Sequence, residues 1–219
     1  INYVRRLIQP LADRVRLDTG VLAVQRTADG VIVTDSRGQS SRYDHVVMAT
    51  HADQALSALA DPTSDETELL GAFRYSRNLA VLHSDPSFMP RRRAAWSSWN
   101  YIGSRDASAD NVGVTYWMNR LQGIDPAVPL FVSLNPLREP DPARVHADLR
   151  YDHPIFDQAA IGAQAQLDAI QGVERLWYCG AWGGYGFHED GLNSALAVAS
   201  RLGCRAPWQD SMERIESAA

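Results

Sequence analysis

Towards the C-terminal end of the 219-residue chain, the string Trp177-Tyr178-Cys179-Gly180-Ala181-Trp182-Gly183-Gly184-Tyr185-Gly186-Phe187-His188-Glu189-Asp190-Gly191-Leu192-Asn193 gathers most of the residue types that do chemistry. Glycines let the backbone approach a ligand where side chains are missing. A helix beginning just after them offers unpaired amides to an anionic or electron-rich group. Together these features suit a nucleotide-type cofactor, although glycine loops serve packing equally well. His188, Glu189 and Asp190 have the side chains of a metal or acid–base cluster, but consecutive residues on a turn point in different directions and rarely converge on one ion. No metal site is expected. Glu189 and Asp190 read instead as carboxylates stabilising a helix start. His188 is left as a candidate proton donor if it lines a pocket. Cys179 is expected to be a small buried hydrophobe.

What is missing narrows the chemistry further. All 21 cationic residues are arginines, so a phosphate loop ending in Gly-Lys, a pyridoxal enzyme and Schiff-base catalysis are excluded. No Gly-x-Ser-x-Gly elbow occurs, which removes the common serine hydrolase arrangement. A net charge of −5 disfavours nucleic acid as a partner. The one basic run, Arg91-Arg92-Arg93, reads as a solvated loop, or as a seat for an anionic head group. No apolar run is long enough for an integral membrane segment. Two cysteines, Cys179 and Cys204, are too few for a disulfide framework or a four-ligand zinc site, and point to a reducing, cytoplasmic setting. The chain opens on Ile1 without a secretory pattern and is expected to be a fragment.

Elements that would position these residues follow from periodicity and turn chemistry. Tyr3, Val4, Leu7 and Ile8 have helical spacing until Pro10. VLAVQRTA, VIVTD and QSSRY, separated by Asp29-Gly30 and Arg37-Gly38, read as a three-stranded meander. Asp44–Thr50 reads as a short parallel-sheet strand buried on both faces, followed by a helix over His51–Leu59. Thr63 and Glu66 have capping-box spacing ahead of Leu69, Leu70 and Phe73. From Asn78 to Asn135 the β-type runs NLAVLH, AAWSSWNYI, VGVTYWM and LFVSLN predict a separate antiparallel sheet, and Val145–Tyr151 adds a strand. Gln158–Ile170 predicts a helix of about three turns closed by Gly172. Leu176–Cys179 is then a strand, Gly180–Gly186 a loop, and Leu192, Ala195, Leu196, Ala199 and Leu202 one face of a helix. Trp96, Trp99, Tyr101, Tyr116 and Trp117 are candidates for the wall of an apolar pocket or for sheet core. Asn119 and Gln122 suit either orienting a ligand or closing a turn.

The segment WYCGAWGGYGFHEDGLNSAL resembles the C-terminal flavin-binding signature of the FAD-dependent amine oxidase and phytoene desaturase superfamily. RVRLDTGVLAVQRTADGVIVTD is similar to that superfamily's adenine-contacting strand and meander, and DHVVMATHADQALSAL to the strand and helix that follow. YVRRL, VTYWMNRLQ and FVSLNP most resemble bacterial flavin-containing amine oxidase-like proteins. The likeness runs from about Tyr3 to Gly203 and covers the family's second half; its opening strand, GxGxxG turn and ribose-holding acid do not occur here.

The resemblance implies an α/β (mixed α+β) fold, a partial FAD-binding sheet and β-meander with an inserted antiparallel-sheet substrate domain. It assigns residues 1–50 and 173–205 to a FAD-binding domain, 51–172 to a substrate domain, and 206–219 to a tail. It places Val21 beside the adenine, Ala49 and Thr50 near the pyrophosphate, and Gly180 and Ala181 along the ribityl chain. Asp190, Gly191, Leu192 and Asn193 would form a helix start facing the pyrimidine edge of the flavin, where main-chain amides would stabilise negative charge. Two departures stand out. Many relatives carry an acid after the glycine where this chain has Ala181-Trp182, and amine oxidases commonly hold a lysine near the flavin, of which there is none. The implied function is a FAD-dependent oxidoreductase moving hydride from a small organic substrate, an amine or an apolar or acyl compound, to flavin, with a dehydrogenase, desaturase or isomerase favoured over an oxidase. An N-terminal FAD-binding half is expected in the full-length protein. The alternative is a non-catalytic fragment or binding module without that half.

Overall fold

The computed structural model describes residues 2–103, 112–206 and 208. The tail expected over 206–219 lies outside them from residue 209 onward. The chain is mixed α and β, and it divides into two compact units, residues 1–74 with 155–219, and residues 75–154. These cuts fall inside the span read above as one substrate domain, so the helices that flank the inserted sheet belong to the first unit.

The first unit opens with helix α1 (Asn2–Ile8), which gives way to a 3-10 turn at Gln9–Leu11 where Pro10 removes an amide. The meander follows as β1 (Val21–Thr27), β2 (Gly30–Asp35) and β3 (Ser40–Tyr43), antiparallel in the order β1-β2-β3. Thr27 pairs with Gly30, so the hairpin turn is Ala28-Asp29 and Gly30 lies inside the ladder. A side chain there would put its Cβ 2.6 Å from the Tyr43 carbonyl oxygen, which is why position 30 is glycine.

Strand β4 (Val46–Met48) leads to α2 (Ala52–Ala58) and α3 (Ser64–Gly71). The start of α3 is the expected capping box: Thr63 Oγ1 accepts from the Glu66 amide at 3.2 Å and Glu66 Oε2 from the Thr63 amide at 2.9 Å.

The second unit is a five-stranded sheet of β5 (Arg74–His83), β6 (Trp99–Gly103), β7 (Val112–Trp117), β8 (Phe131–Leu134) and β9 (Val145–Ile155), ordered β6-β7-β8-β5-β9. A short helix, α4 (Met118–Gln122), joins β7 to β8 and ends on Gly123 at φ +64°. Asn119 closes this connection. Its amide nitrogen donates to the Asp125 and Val128 carbonyls at 2.9 and 2.8 Å, and its oxygen accepts from the Leu130 amide at 2.8 Å.

Back in the first unit, α5 (Gln158–Gln164) is followed by a separate 3-10 turn at Leu167–Ile170. The helix expected to run to Ile170 therefore stops after two turns. Strand β10 (Leu176–Tyr178) then pairs in parallel with β4, and α6 (His188–Arg201) completes the unit.

Two sequence expectations need correction here. β4 is not buried on both faces: Met48 is buried, whereas Val47 is 42% exposed, because the parallel sheet has only two strands among the described residues. Nor does α6 bury the whole face read from its leucines, of which Leu202 packs against the core. Val198 is its buried residue, packed with Trp177 and Cys179, and Leu192 is 41% exposed.

The aromatic residues of the second unit divide by strand register. Trp99 pairs with Tyr116 and Tyr101 with Val114, which puts Trp99, Tyr101 and Tyr116 on one face. Trp117 pairs with Phe131 on the other, where Trp96 packs edge-on against both at 5.2 and 5.7 Å. The Arg93 guanidinium caps this cluster, 4.7 Å from the Trp96 ring. One of the three consecutive arginines is thus a packing residue.

Candidate functional site

Because β4 and β10 run in parallel and in register, Val46 beside Leu176 and Met48 beside Tyr178, their C-terminal ends emerge at the same edge. The ends of parallel strands are where open α/β sheets hold ligands. Ala49 and Thr50 leave β4 there, both exposed, and Cys179, Gly180 and Ala181 leave β10. The Cys179 amide donates to the Met48 carbonyl at 3.1 Å, extending the ladder by one residue. Its buried thiol is pushed above the ordinary range by desolvation, which makes it a packing group.

The loop after β10 is fastened from three sides. Trp182 is buried, its indole nitrogen donating to the Thr50 carbonyl at 3.0 Å and its ring edge-on to Phe73 at 4.7 Å. Gly180 is needed for this: a Cβ there would fall 2.4 Å from the indole nitrogen. From α5, the Gln164 side chain donates to the carbonyls of Trp182 and Gly184 at 2.9 and 2.6 Å. From α6, Ser194 Oγ accepts the Gly180 amide at 3.0 Å and donates to the Gly191 carbonyl at 2.8 Å.

The start of α6 faces back onto the same loop. Asp190 Oδ2 accepts the Tyr185 and Phe187 amides at 3.1 and 2.9 Å, and Gly184 is glycine because a Cβ would meet the Asp190 carboxyl carbon at 2.6 Å. His188 and Glu189 are exposed and share no partner with it. Gly191 lies close over Ala181, whose amide nitrogen would be 3.6 Å from a Cβ at 191. Leu192 and Asn193 are exposed on the first turns of the helix. Among the described residues, the amides of Ala181, His188, Glu189 and Asp190 have no hydrogen-bond partner.

Of the residues read from sequence, the structure therefore brings together Ala49, Thr50, Gly180, Ala181, Asp190 and Gly191, with Leu192 and Asn193 beside them. Val21 stands apart. It opens β1 half-exposed, pairs with Asp35 across a register break, and shares no hydrogen bond with the loop among the described residues. Sequence reasoning missed Ser194 and Gln164, which hold the loop in place. A signal existed for Ser194, since Gly191, Ser194 and Val198 are the small or apolar residues one turn apart on the inward side of α6. For Gln164 no sequence signal exists.

Behind the site lies a buried ionic network. Glu66 is 1% exposed, and its Oε1 accepts from the Tyr178 hydroxyl at 2.5 Å and from the Arg26 guanidinium. Arg26 also donates to the Asp61 carbonyl at 2.8 Å and pairs with Glu174 at 2.9 Å. Burial alone would raise the Glu66 carboxyl, but hydrogen bonds from Tyr178, Thr63 and Arg26 outweigh it and hold the group below the usual carboxylate range. Burial and the adjacent carboxylate push the Tyr178 phenol well above its ordinary value, so it acts only as a donor.

Residues 2–96, nearly half of the chain, match the family of flavin containing amine oxidoreductases. Over these residues the chain is similar to that family. Solved structures share its fold. Cyclohexylamine oxidase from Brevibacterium oxydans IH-35A aligns over 90% of this chain and 52% of its own, with a TM-score of 0.62 and 15% identity. A redesigned putrescine oxidase aligns over 90% and 51%, with a TM-score of 0.58 and 12% identity. Reduced UDP-galactopyranose mutase aligns over 84% and 46%, with a TM-score of 0.56 and 11% identity. The chain spans about half the length of these proteins. No curated protein matches the sequence. Among the described residues, no helix is long and apolar enough to cross a membrane.

Proposed function

We propose that this chain supplies the C-terminal part of a FAD site in an oxidoreductase that takes hydride from a small organic substrate. The observation that carries the reading is the convergence of Thr50, Gly180, Ala181 and the start of α6 at one edge of a parallel strand pair, with four backbone amides unpaired. Such amides suit the electron-rich edge of a flavin, and the bare glycine backbone allows the close approach. When bound, FAD would act as the acceptor of two electrons.

The chain's own residues have narrower tasks. Ala181 and the first turn of α6 direct amide hydrogens and the positive end of the helix towards developing negative charge. Asp190 does not reach out to a ligand; its carboxylate is consumed by the Tyr185 and Phe187 amides, so its task is to set the loop. The position after Gly180 offers no acid for ribityl hydroxyls, since Ala181 stands there and Trp182 is buried against Phe73. Val21 would contact the adenine. In the second unit the open face bearing Trp99, Tyr101 and Tyr116 gives an apolar surface to a substrate, with Trp99 and Tyr101 54% and 74% exposed. The absence of lysine favours dehydrogenase, desaturase or isomerase chemistry over an oxidase. An N-terminal nucleotide-binding half would complete the site, and the free thiols of Cys179 and Cys204 suit a reducing cytoplasm.

The test is a titration of the purified chain with FAD, followed by visible absorbance, flavin fluorescence and thermal stability. Binding that shifts the flavin bands and raises the melting temperature is expected, and Gly180→Ala should remove it by displacing the Trp182 indole. A chain that neither holds FAD nor is stabilised by it sinks the cofactor reading for these 219 residues and leaves the non-catalytic module.

A further inference from the structure

The second unit has a pocket of about 250 Å³ on the sheet face opposite Trp99 and Tyr101, lined by Phe88, Ile102, Gly113, Pro136 and Leu137 with Thr115, Ser87 and Arg138 as its polar members. Thr115 is 2% exposed and ends a hydrogen-bond chain that runs from Asp85 through His83 and Ser133. The Asp85 amide can only donate, and it does so to His83 Nδ1 at 3.1 Å. The imidazole hydrogen is therefore on Nε2, 2.8 Å from Ser133 Oγ, which makes Ser133 the acceptor there. Ser133 Oγ and Thr115 Oγ1 lie 2.7 Å apart, and either can donate, so two hydroxyl hydrogens share one hydrogen bond. One of the two hydrogens is left over, and an acceptor in the pocket that Thr115 lines would take it from Thr115, with Ser133 then donating to Thr115 Oγ1. A buried donor without a partner is costly, and a ligand acceptor is the usual resolution.

Arg138 provides the second polar element. Its guanidinium lies 4.2 Å from the Phe88 ring and donates one hydrogen bond to Ser87 Oγ at 2.7 Å, which fixes the plane and leaves its other hydrogens unused among the described residues. Asp85 is the nearby anion, but its oxygens are already taken by the Ser87 amide and hydroxyl and by the Asp141 amide at 3.0, 2.6 and 3.2 Å. The site thus has an apolar body, one buried donor and one cation at its edge. Its volume is below that of pockets for drug-sized ligands, roughly 300–1,000 Å³.

We propose that this pocket binds a small monocarboxylate, its apolar part against Phe88, Ile102 and Leu137 and its carboxylate between Arg138 and the Thr115 hydroxyl. The probe is benzoate, titrated calorimetrically into the intact chain, with benzyl alcohol as an uncharged control of the same shape. Saturable one-site binding of benzoate is expected, with benzyl alcohol weaker. Arg138→Gln, at an exposed position, should weaken benzoate at least about tenfold, the loss of one charge-assisted hydrogen bond. Leu137→Trp, also at an exposed position, should block the pocket, and Ile102→Trp serves the same purpose if that variant fails to fold. Thr115→Val should weaken binding while Thr115→Ser retains it. No binding of benzoate, equal binding of benzyl alcohol, or affinity unchanged in both Arg138→Gln and the blocked variant would overturn the proposal.

Discussion

The two units bury polar side chains in different ways. In the first, Arg26 and Glu66 are buried as ions, with side chains 7% and 1% exposed; Arg26 meets Asp61, Glu66 and Glu174, and Glu66 meets Arg26, Thr63 and Tyr178. In the second, His83, Ser133 and Thr115 are buried as neutral groups in a single file. A buried ion pair is weak evidence of stability while it is intact, yet removing one partner strands the other charge. A neutral file has little to lose at any one link. The ionic network should therefore be the more brittle of the two.

The sharpest way to break that contrast is Glu66→Ala. It takes from Arg26 its one buried anionic partner, leaves the Tyr178 hydroxyl without its acceptor and removes half of the Thr63 capping box. A loss of about 3–5 kcal/mol is expected in urea denaturation. Ser133→Ala in the second unit breaks two neutral hydrogen bonds at once and should cost about 1–3 kcal/mol. If the two variants lose the same stability, the contrast is wrong.

Acid titration separates the networks without mutation. His83 is held below its ordinary value by burial first, with His146 and Arg138 adding to this and Asp85 opposing it. A histidine with a lowered folded pKa takes up its proton more readily when unfolded. Its contribution is therefore full above pH 6.5 and declines as pH falls below that value. Glu66 is also lowered, and as a carboxyl it contributes fully above pH 4.5 and loses that contribution as pH falls further. Two windows are expected in a stability profile. His83→Gln should remove the upper one and Glu66→Gln the lower, as read by denaturant midpoints from pH 8 to 3; a single window surviving both substitutions would refute the assignment.

Much of what positions these networks can be read in the residues themselves. The Thr63 and Glu66 capping box, the hairpins read at Asp29-Gly30 and Arg37-Gly38 and the antiparallel sheet from β5 to β9 follow from local spacing, and the structure contains them, the first turn one residue earlier at 28–29. What periodicity could not reveal is what faces what. Glu66 reads as a capping residue, and nothing local says that Arg26, forty positions earlier, and Tyr178, over a hundred later, close on it. Trp117 and Tyr116 are adjacent and equally aromatic, yet strand alternation sends them to opposite faces of the sheet, Trp117 against Trp96 and Tyr116 beside Trp99. Leu192 of α6 misled for the same reason. Which side of a helix is buried depends on its neighbour, here the bare backbone at Gly180 and the Trp177 ring.

A smaller effect sharpens the comparison from within the ionic network. Arg26 has one buried anionic partner, Glu66, and two exposed ones, Asp61 and Glu174, at 49% and 63% exposure. If burial is what makes the network brittle, the exposed limbs should matter little, because water replaces a lost partner there and exposed pairs contribute roughly 0–1 kcal/mol. Asp61→Asn keeps the carbonyl that accepts from Arg26 at 2.8 Å and removes only the side-chain contact at 3.2 Å. Its expected cost is about 0.5 kcal/mol or less, shrinking further in high salt. A cost approaching that of Glu66→Ala would mean that the network acts through total charge around Arg26, and the distinction between buried and exposed limbs would have to be abandoned.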